Sequence, residues 1–365
     1  MSLVARLAEL VSFDTQNPTG DERPLVALLA RQLQGLGAAA VETAEVEGHA
    51  YVFARFGDDP PRVLVNAHVD TVPASPGYGA PPHRLVERGQ RLVGLGAADT
   101  KGSIAAVMEA LARCQAAGTR PRGVALLLSG DEERRSTCMR RFLTDRRLVA
   151  GLERAVVCEP TGCTAGWRHR GIAAAEARVT SPGGHSSRAD EVAGAVAVLA
   201  RAAVAADDLG RRYRDVGPAG YQGICLNVAA LEGGGPFNVI PSRATLRLSL
   251  RPAPGADVAA LLAEAEAVVR AAAAPVEVDW SVMTARTSFQ TRDLESFVPL
   301  LGERVRRPVD LAFWTEAALL GEAGIDAVVF GPGHIEQAHA ADEHVERAEL
   351  ETALETFIHL FESTG

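Results

Sequence analysis

The sequence predicts an α/β protein: a mostly parallel, buried sheet in one larger domain, interrupted by a smaller α+β insertion. Two observations carry this expectation. Apolar runs of strand length at residues 62–66, 124–128, 155–157 and 327–330 alternate with segments of helical period, as strands covered on both faces by crossover helices do. Over residues 172–285 the pattern changes to strand, helix, strand, strand, helix, strand, the order of a ferredoxin-like unit. A chain of 365 residues, 47% hydrophobic and 23% charged, is long enough for both.

Taken in order, residues 1–11 set Arg6 and Glu9 among apolar positions and read as an amphipathic helix, without the long apolar stretch of a signal peptide. No later apolar run is long enough to span a bilayer, so a cytoplasmic protein with no membrane partner is expected. Residues 102–117 and 347–361 repeat apolar side chains every three or four positions and predict helices. In the insertion, strands are expected at 171–180, 224–231, 244–251 and 276–282, and helices at 191–206 and 258–274. The larger domain then comprises residues 1–171 and 286–365, and the smaller one residues 172–285.

The net charge of -9, with no long basic run, excludes nucleic acid as an expected partner and favours a small molecule. Five cysteines are too few and odd in number for a disulfide framework. Cys158 and Cys163 match no zinc spacing and read as buried thiols. Lys101 is the one lysine in a chain rich in arginine, and it falls in a Gly-rich segment.

That segment, Gly94-Leu95-Gly96-Ala97-Ala98-Asp99-Thr100-Lys101-Gly102, meets neither phosphate-loop spacing. Its carboxylate, Asp99, suits a helix N-cap as well as a bridge between two cations. His68 and Asp70 follow the first apolar run, at the carboxyl end where open α/β sheets place ligands. Alone they fit an ordinary loop histidine beside a carboxylate. As a site, His68 binds metal and Asp70 fixes its tautomer.

Asp131-Glu132-Glu133 follows the second run, and adjacent acids repel unless cations neutralise them. Their side chains diverge, so one can ligate while the other serves as general base. Glu159 follows the third run, and His339 lies beyond the fourth. Each has an innocent reading, yet all sit at strand or loop ends. Two imidazoles with carboxylates and no cysteine form a ligand set for a hydrolytic pair of divalent ions, zinc first and cobalt second. The sequence has no Gly-x-Ser-x-Gly elbow for a serine hydrolase. A glycosidase-like carboxylate pair leaves both histidines unexplained.

In motif order the chain resembles the zinc deacetylase and exopeptidase family that includes acetylornithine deacetylase, succinyl-diaminopimelate desuccinylase and aminoacylase. The resemblance implies that His68 and Glu159 hold one ion, Glu133 and His339 the other, and that Asp99 bridges them. Asp70 then orients His68, and Glu132 is the general base. It also implies a cis Asp99-Thr100 peptide, and a lid and dimerisation role for the inserted domain, making the chain a homodimer. In Ser181-Pro182-Gly183-Gly184-His185, His185 completes an oxyanion site, in its own subunit or across the dimer. Asn238, Arg251 and Glu316 become substrate-binding positions, Arg251 through an α-carboxylate.

Thr315-Glu316-Ala317 and His169-Arg170-Gly171 are similar to deacetylases of acetylornithine and acetylcitrulline, which points to arginine biosynthesis. Glu133-Arg134-Arg135-Ser136 departs from the Gly-rich continuation of many relatives. A desuccinylase, a broad aminoacylase, a dipeptidase and a non-catalytic ligand-binding relative are the alternatives.

Overall fold

The computed structural model describes residues 1–364, which form two compact units. One comprises residues 1–167, 291–311 and 315–364, the other residues 168–290 and 312–314.

In the larger unit, four strands lie side by side and parallel at the centre of the sheet: Val124–Ser129, Val63–His68, Arg154–Val157 and Asp326–Val329. The pairing turns antiparallel outside them. His49–Phe56 runs against Val124–Ser129, and Ala40–Val46 runs against His49–Phe56. On the other side, Gly166 pairs antiparallel with Val329. The parallel character expected of the sheet is thus a property of its middle.

Burial on both faces explains the continuous apolar runs. On His49–Phe56, Ala50, Val52, Ala54 and Phe56 enter the main core with Leu25, Leu29 and Leu33 of the Arg23–Gly35 helix. The alternate residues Tyr51 and Phe53 meet Phe142 of the Thr137–Thr144 helix, with ring centroids 6.5 and 5.5 Å apart. A strand side chain changes face at every residue, so apolar residues at consecutive positions require cover on both sides.

The Lys101–Ala116 helix joins the main core through Ile104, Ala105, Met108 and Leu111, beside Leu350, Leu354 and Phe357 of the Arg347–Ser363 helix. Leu3–Val11 contributes Leu3, Leu7, Leu10 and Val11, three- and four-residue spacings that put them on one face. No helix among the described residues is long and apolar enough to cross a membrane.

The smaller unit holds a four-stranded antiparallel sheet in the order Asn227–Gly233, Arg243–Leu250, Ile172–Thr180, Val278–Arg286. With helices Ala195–Arg212 and Val258–Ala273, this is the ferredoxin-like arrangement. Leu246 and Leu248 bury one sheet face with Ala177 and Val179, against Val198, Leu199 and Ala202 of the first helix and Val269 and Ala273 of the second. On the other face Arg247 reaches Glu176 at 2.8 Å and Glu232 at 3.0 Å.

Several boundaries differ from expectation. The first helix of this unit begins at Ala195 rather than 191 and runs on to Arg212, and Gly194 stands at its N-cap with no side-chain hydrogen bond. The next strand begins at Asn227 rather than 224, after Cys225 takes a φ of 43°. The last strand runs 278–286 instead of 276–282.

Candidate active site

Because the four central strands are parallel, their carboxyl ends lie along one edge of the sheet, and the chain leaves each end into a loop. His68 is the last residue of Val63–His68. Glu132 and Glu133 follow Val124–Ser129, Glu159 follows Arg154–Val157, and the loop after Asp326–Val329 leads to His339.

Asp99 reaches the same place from the turn before Lys101–Ala116. That helix has Thr100 at its N-cap, so the capping reading of Asp99 does not hold. Its carboxylate faces imidazoles on both sides, with Oδ1 2.9 Å from His68 Nε2 and Oδ2 3.3 Å from His339 Nε2. His339 Nε2 is also 3.1 Å from Glu133 Oε1. Ligand atoms of His68, Asp99 and Glu133 all lie within 4.8 Å of one another. The Asp99–Thr100 peptide is cis, and the Thr100 hydroxyl donates to the His68 carbonyl at 2.9 Å.

Asp70 does two jobs. Its carbonyl oxygen lies 2.9 Å from His68 Nδ1, an acceptor for a proton on that nitrogen, while Nε2 faces Asp99. Its carboxylate, 3.6 Å from the same ring nitrogen, instead accepts the main-chain N–H groups of Glu132 at 3.2 Å and Glu133 at 3.3 Å. The main chain of Asp70 thus faces His68 Nδ1, while its side chain ties down the turn carrying the paired acids. Asp131, the third acid of the run, has φ 66° and turns elsewhere. Its carboxylate accepts from Asn17 and Thr137. Arg135 lies 3.9 Å from Asp131 and 3.6 Å from Glu47.

The electrostatics follow from burial and crowding. Desolvation pushes Glu132 well above the usual carboxylate range, and the charges of Glu133, Glu316 and Asp70 add to it while His68 opposes. Glu159 is raised for the same reason, with Asp99 as its main like-charged neighbour. Glu133 is raised by burial and Asp99. Burial would raise Asp99 too, but its hydrogen bonds with His339 and His68 more than offset this and hold it low. Contacts with Asp99 and Glu133 lift His339 to about 10. His339 is 49% exposed whereas His68 and Asp99 are buried, so solvent reaches the cluster at His339.

Four carboxylates, Asp99, Glu132, Glu133 and Glu159, thus share a largely buried site with two imidazoles. That is an excess of hard anionic donors over any positive charge the chain supplies. The donor set fits two divalent cations, with Asp99 the one carboxylate whose two oxygens address different partners.

Glu316 is a buried acid whose charge is felt by Glu132. It is 1% exposed, with Oε2 3.4 Å from the Ser129 hydroxyl, and burial raises it to about 7. Lys101 is buried at the helix start and donates to the Phe13 carbonyl at 3.0 Å. Burial lowers it to about 8.

His185, Asn238 and Arg251 belong to the smaller unit. His185 pairs with Val239 in a two-stranded ribbon, and the Ser186 N–H donates to the Asn238 carbonyl at 3.0 Å, so His185 and Asn238 are neighbours. Arg251 follows Arg243–Leu250, and its carbonyl accepts from Arg170.

Two supporting residues escaped the sequence reading. The Asn17 amide nitrogen donates to both Asp70 at 3.1 Å and Asp131 at 3.0 Å. Glu343 accepts from three main-chain N–H groups of the Asp99 turn. The visible signals are Asn17-Pro18 beyond the first helix and an acid pair, Asp342-Glu343, that begins three residues past His339.

Imidazoles and carboxylates gathered at the ends of parallel strands, with a carboxylate between two histidines, form a donor set of the kind that metal-dependent hydrolases use. Residues 64–363 match the model of peptidase family M20/M25/M40, and the chain belongs to this family. It is 33% identical to an N-acetyl-L-citrulline deacetylase of Xanthomonas campestris pv. campestris, over 97% of this chain and 96% of that one. An acetylornithine deacetylase of Vibrio parahaemolyticus is 29% identical over 91% of this chain and 89% of its own. The fold is also that of an M20 family metallo-carboxypeptidase from Sulfolobus solfataricus, with a TM-score of 0.77, 16% identity and 99% of both chains covered.

Proposed function

We propose that this protein removes the acetyl group from an N-acetyl amino acid, N-acetylcitrulline or N-acetylornithine, as a step of arginine biosynthesis in the cytoplasm. The observation that carries the reading is the Asp99 carboxylate shared by His68 and His339, in a chain 33% identical over nearly its whole length to a protein named for acetylcitrulline.

His68 and Glu159 are assigned to one ion, Glu133 and His339 to the other, and Asp99 to both, with zinc favoured and cobalt the alternative. When bound, the ions supply Lewis acidity, polarising the acyl oxygen and easing deprotonation of water. Glu132, a buried carboxyl beside Glu133 that is assigned to neither ion, takes the proton from the attacking water and returns it to the leaving amine. Asp70 holds the main chain of the Glu132-Glu133 turn and keeps His68 in register.

His185 is assigned to the developing oxyanion. Its Nδ1 accepts the Ser187 N–H at 3.3 Å, so a neutral ring carries its proton on Nε2 and donates from there. Asn238 and Arg251 are assigned to substrate, Arg251 to the α-carboxylate. Glu316 is assigned to the substrate side chain, pairing with the cation of ornithine or holding neutral citrulline through hydrogen bonds. The smaller unit is proposed as lid and dimerisation domain. Its outer strand leaves Val282 and Met283 exposed, at 51% and 65%, which suits contact with a second copy.

Turnover of acetylcitrulline, acetylornithine, succinyl-diaminopimelate and a simple dipeptide, compared on one metal-loaded preparation, tests the proposal. A clear preference for an acetylated substrate is expected. Equal rates on all four would replace it with a broad aminoacylase.

A further inference from the structure

The loop that carries His339 holds Asp99 twice. His339 meets the Asp99 side chain, with Nε2 3.3 Å from Oδ2. Four residues on, Glu343 turns inward and grips the main chain of the same turn. Its Oε2 accepts the Gly96 N–H at 2.8 Å, and its Oε1 accepts those of Ala98 and Asp99, both at 3.0 Å.

Glu343 is only 2% exposed, and its own backbone is tied in place. The Gly94 N–H donates to its carbonyl at 2.9 Å and the Tyr78 hydroxyl at 3.4 Å. Next to it, Asp342 is anchored by the Gly79 N–H at 2.8 Å and Arg88 Nη1 at 2.7 Å. Gly96 has φ 78°, and a Cβ there would lie 2.8 Å from Thr71 Cγ2, so the turn is shaped for glycine. Three main-chain N–H groups directed at one carboxylate make an anion-binding nest. Here the anion is a side chain of the protein.

Resting on the assignment of Asp99 as the shared ligand, we propose that Glu343 is a positioning residue for the metal pair. By clamping the main chain at residues 96, 98 and 99 it aims both Asp99 oxygens at once, and it couples the Asp99 turn to the His339 loop. A shared ligand must place two atoms together, so a small rotation of its backbone spoils both contacts. A carboxylate suits the task because it has only acceptors to offer three donors. In Glu343→Gln an NH2 group would face one of the N–H donors.

The test measures binding of zinc alone to folded, metal-stripped parent, Glu343→Gln and Glu109→Gln by competition with a chromogenic chelator, with kcat and KM on the loaded enzymes. Glu109→Gln weakens a buried pair with Arg6, 3.4 Å apart, elsewhere in the same unit, and controls for general loss of stability. Glu343→Gln should bind zinc about 10- to 100-fold more weakly and lose kcat with little change in KM, while Glu109→Gln binds as the parent does. Parent-like zinc affinity in Glu343→Gln, or an equal loss in Glu109→Gln, overturns the proposal.

Should Glu343→Gln fail to fold, amide hydrogen exchange of the parent decides. Zinc should slow exchange at Gly96, Ala98 and Asp99 together with residues 339–343. Exchange at those three amides as fast as in an unstructured chain, with or without zinc, overturns it. A parent that binds no zinc would instead sink the metal assignment on which the proposal rests.

Discussion

His68 Nε2 lies 2.9 Å from Asp99 Oδ1, which joins the end of a central strand to the turn that opens a helix. With His339 on the other oxygen of the same carboxylate, Asp99 should serve both ions while Glu159 serves one. Asp99→Ala is therefore expected to lose both equivalents of bound metal, and Glu159→Ala one. Metal content by atomic emission after dialysis against trace zinc checks this. Retention of one tight equivalent by Asp99→Ala would remove its bridging role.

Without metal, the crowded acids should make stability fall as pH rises. Glu132, Glu133 and Glu159 are raised above the ordinary value of 4.5, and Glu316 and Glu343 to about 7. Above pH 4.5 the unfolded chain has released these protons and the folded chain has kept them. The folded state binds more protons, so unfolding free energy drops with pH through this window. His339, raised to about 10, acts in the same direction: its stabilisation is complete below about 6.5 and is lost towards pH 10. Asp99, held low, works the other way only at acid pH. Metal-stripped protein should show a falling melting temperature from pH 5 to 9, and added zinc should raise it most at the alkaline end, where ligands are deprotonated. Melting curves at fixed ionic strength measure both effects, and a stripped protein that grew more stable over this range would contradict the electrostatic reading.

The Asn17 amide sits between the buried carboxylates of Asp70 and Asp131, each 0% exposed. Asn17→Ala removes a donor from both. An unsatisfied buried polar group costs about 1–3 kcal/mol, so a loss of about that size or somewhat more is expected in urea unfolding of the metal-stripped protein. Since Asp70 also holds the Glu132 and Glu133 amides, kcat should fall as well. Parent stability in Asn17→Ala would show that neither carboxylate depends on it.

How much of this was legible depended on how local the signal was. His68, Glu132, Glu133 and Glu159 stood out because each follows closely on an apolar run, and an acid or histidine at a buried strand's carboxyl end is visible within a few residues, whereas His339 lies well along the loop after its strand. Asp99 was visible as a carboxylate among glycines, but its choice between helix cap and ligand was not. That choice is made by His339, 240 positions away in the chain. Glu343 and Asn17 act through hydrogen bonds spanning 244 and 114 residues, and nothing near them in sequence announces those partners. The start of the helix at 195–212 was not marked in the sequence, because Gly194 at its N-cap offers no capping side chain.

The sharpest division of labour predicted lies between adjacent residues. Glu133 Oε1 is 3.1 Å from His339 Nε2, and its ligand atom lies within 4.8 Å of those of His68 and Asp99, whereas the neighbouring Glu132, assigned to neither ion, keeps a carboxyl raised by burial and by its acidic neighbours. A group that must take a proton and give it back works best with a pKa near the working pH, and its loss removes about 10²–10⁴-fold in rate. Glu132→Ala should therefore keep its metal and its substrate affinity and lose turnover by that factor, while Glu133→Ala should lose metal first and activity as a consequence. Excess zinc then separates the two, restoring part of the activity of Glu133→Ala and none of Glu132→Ala. Full activity in metal-loaded Glu132→Ala would leave the attacking water without its base and return the assignment of the two acids to the start.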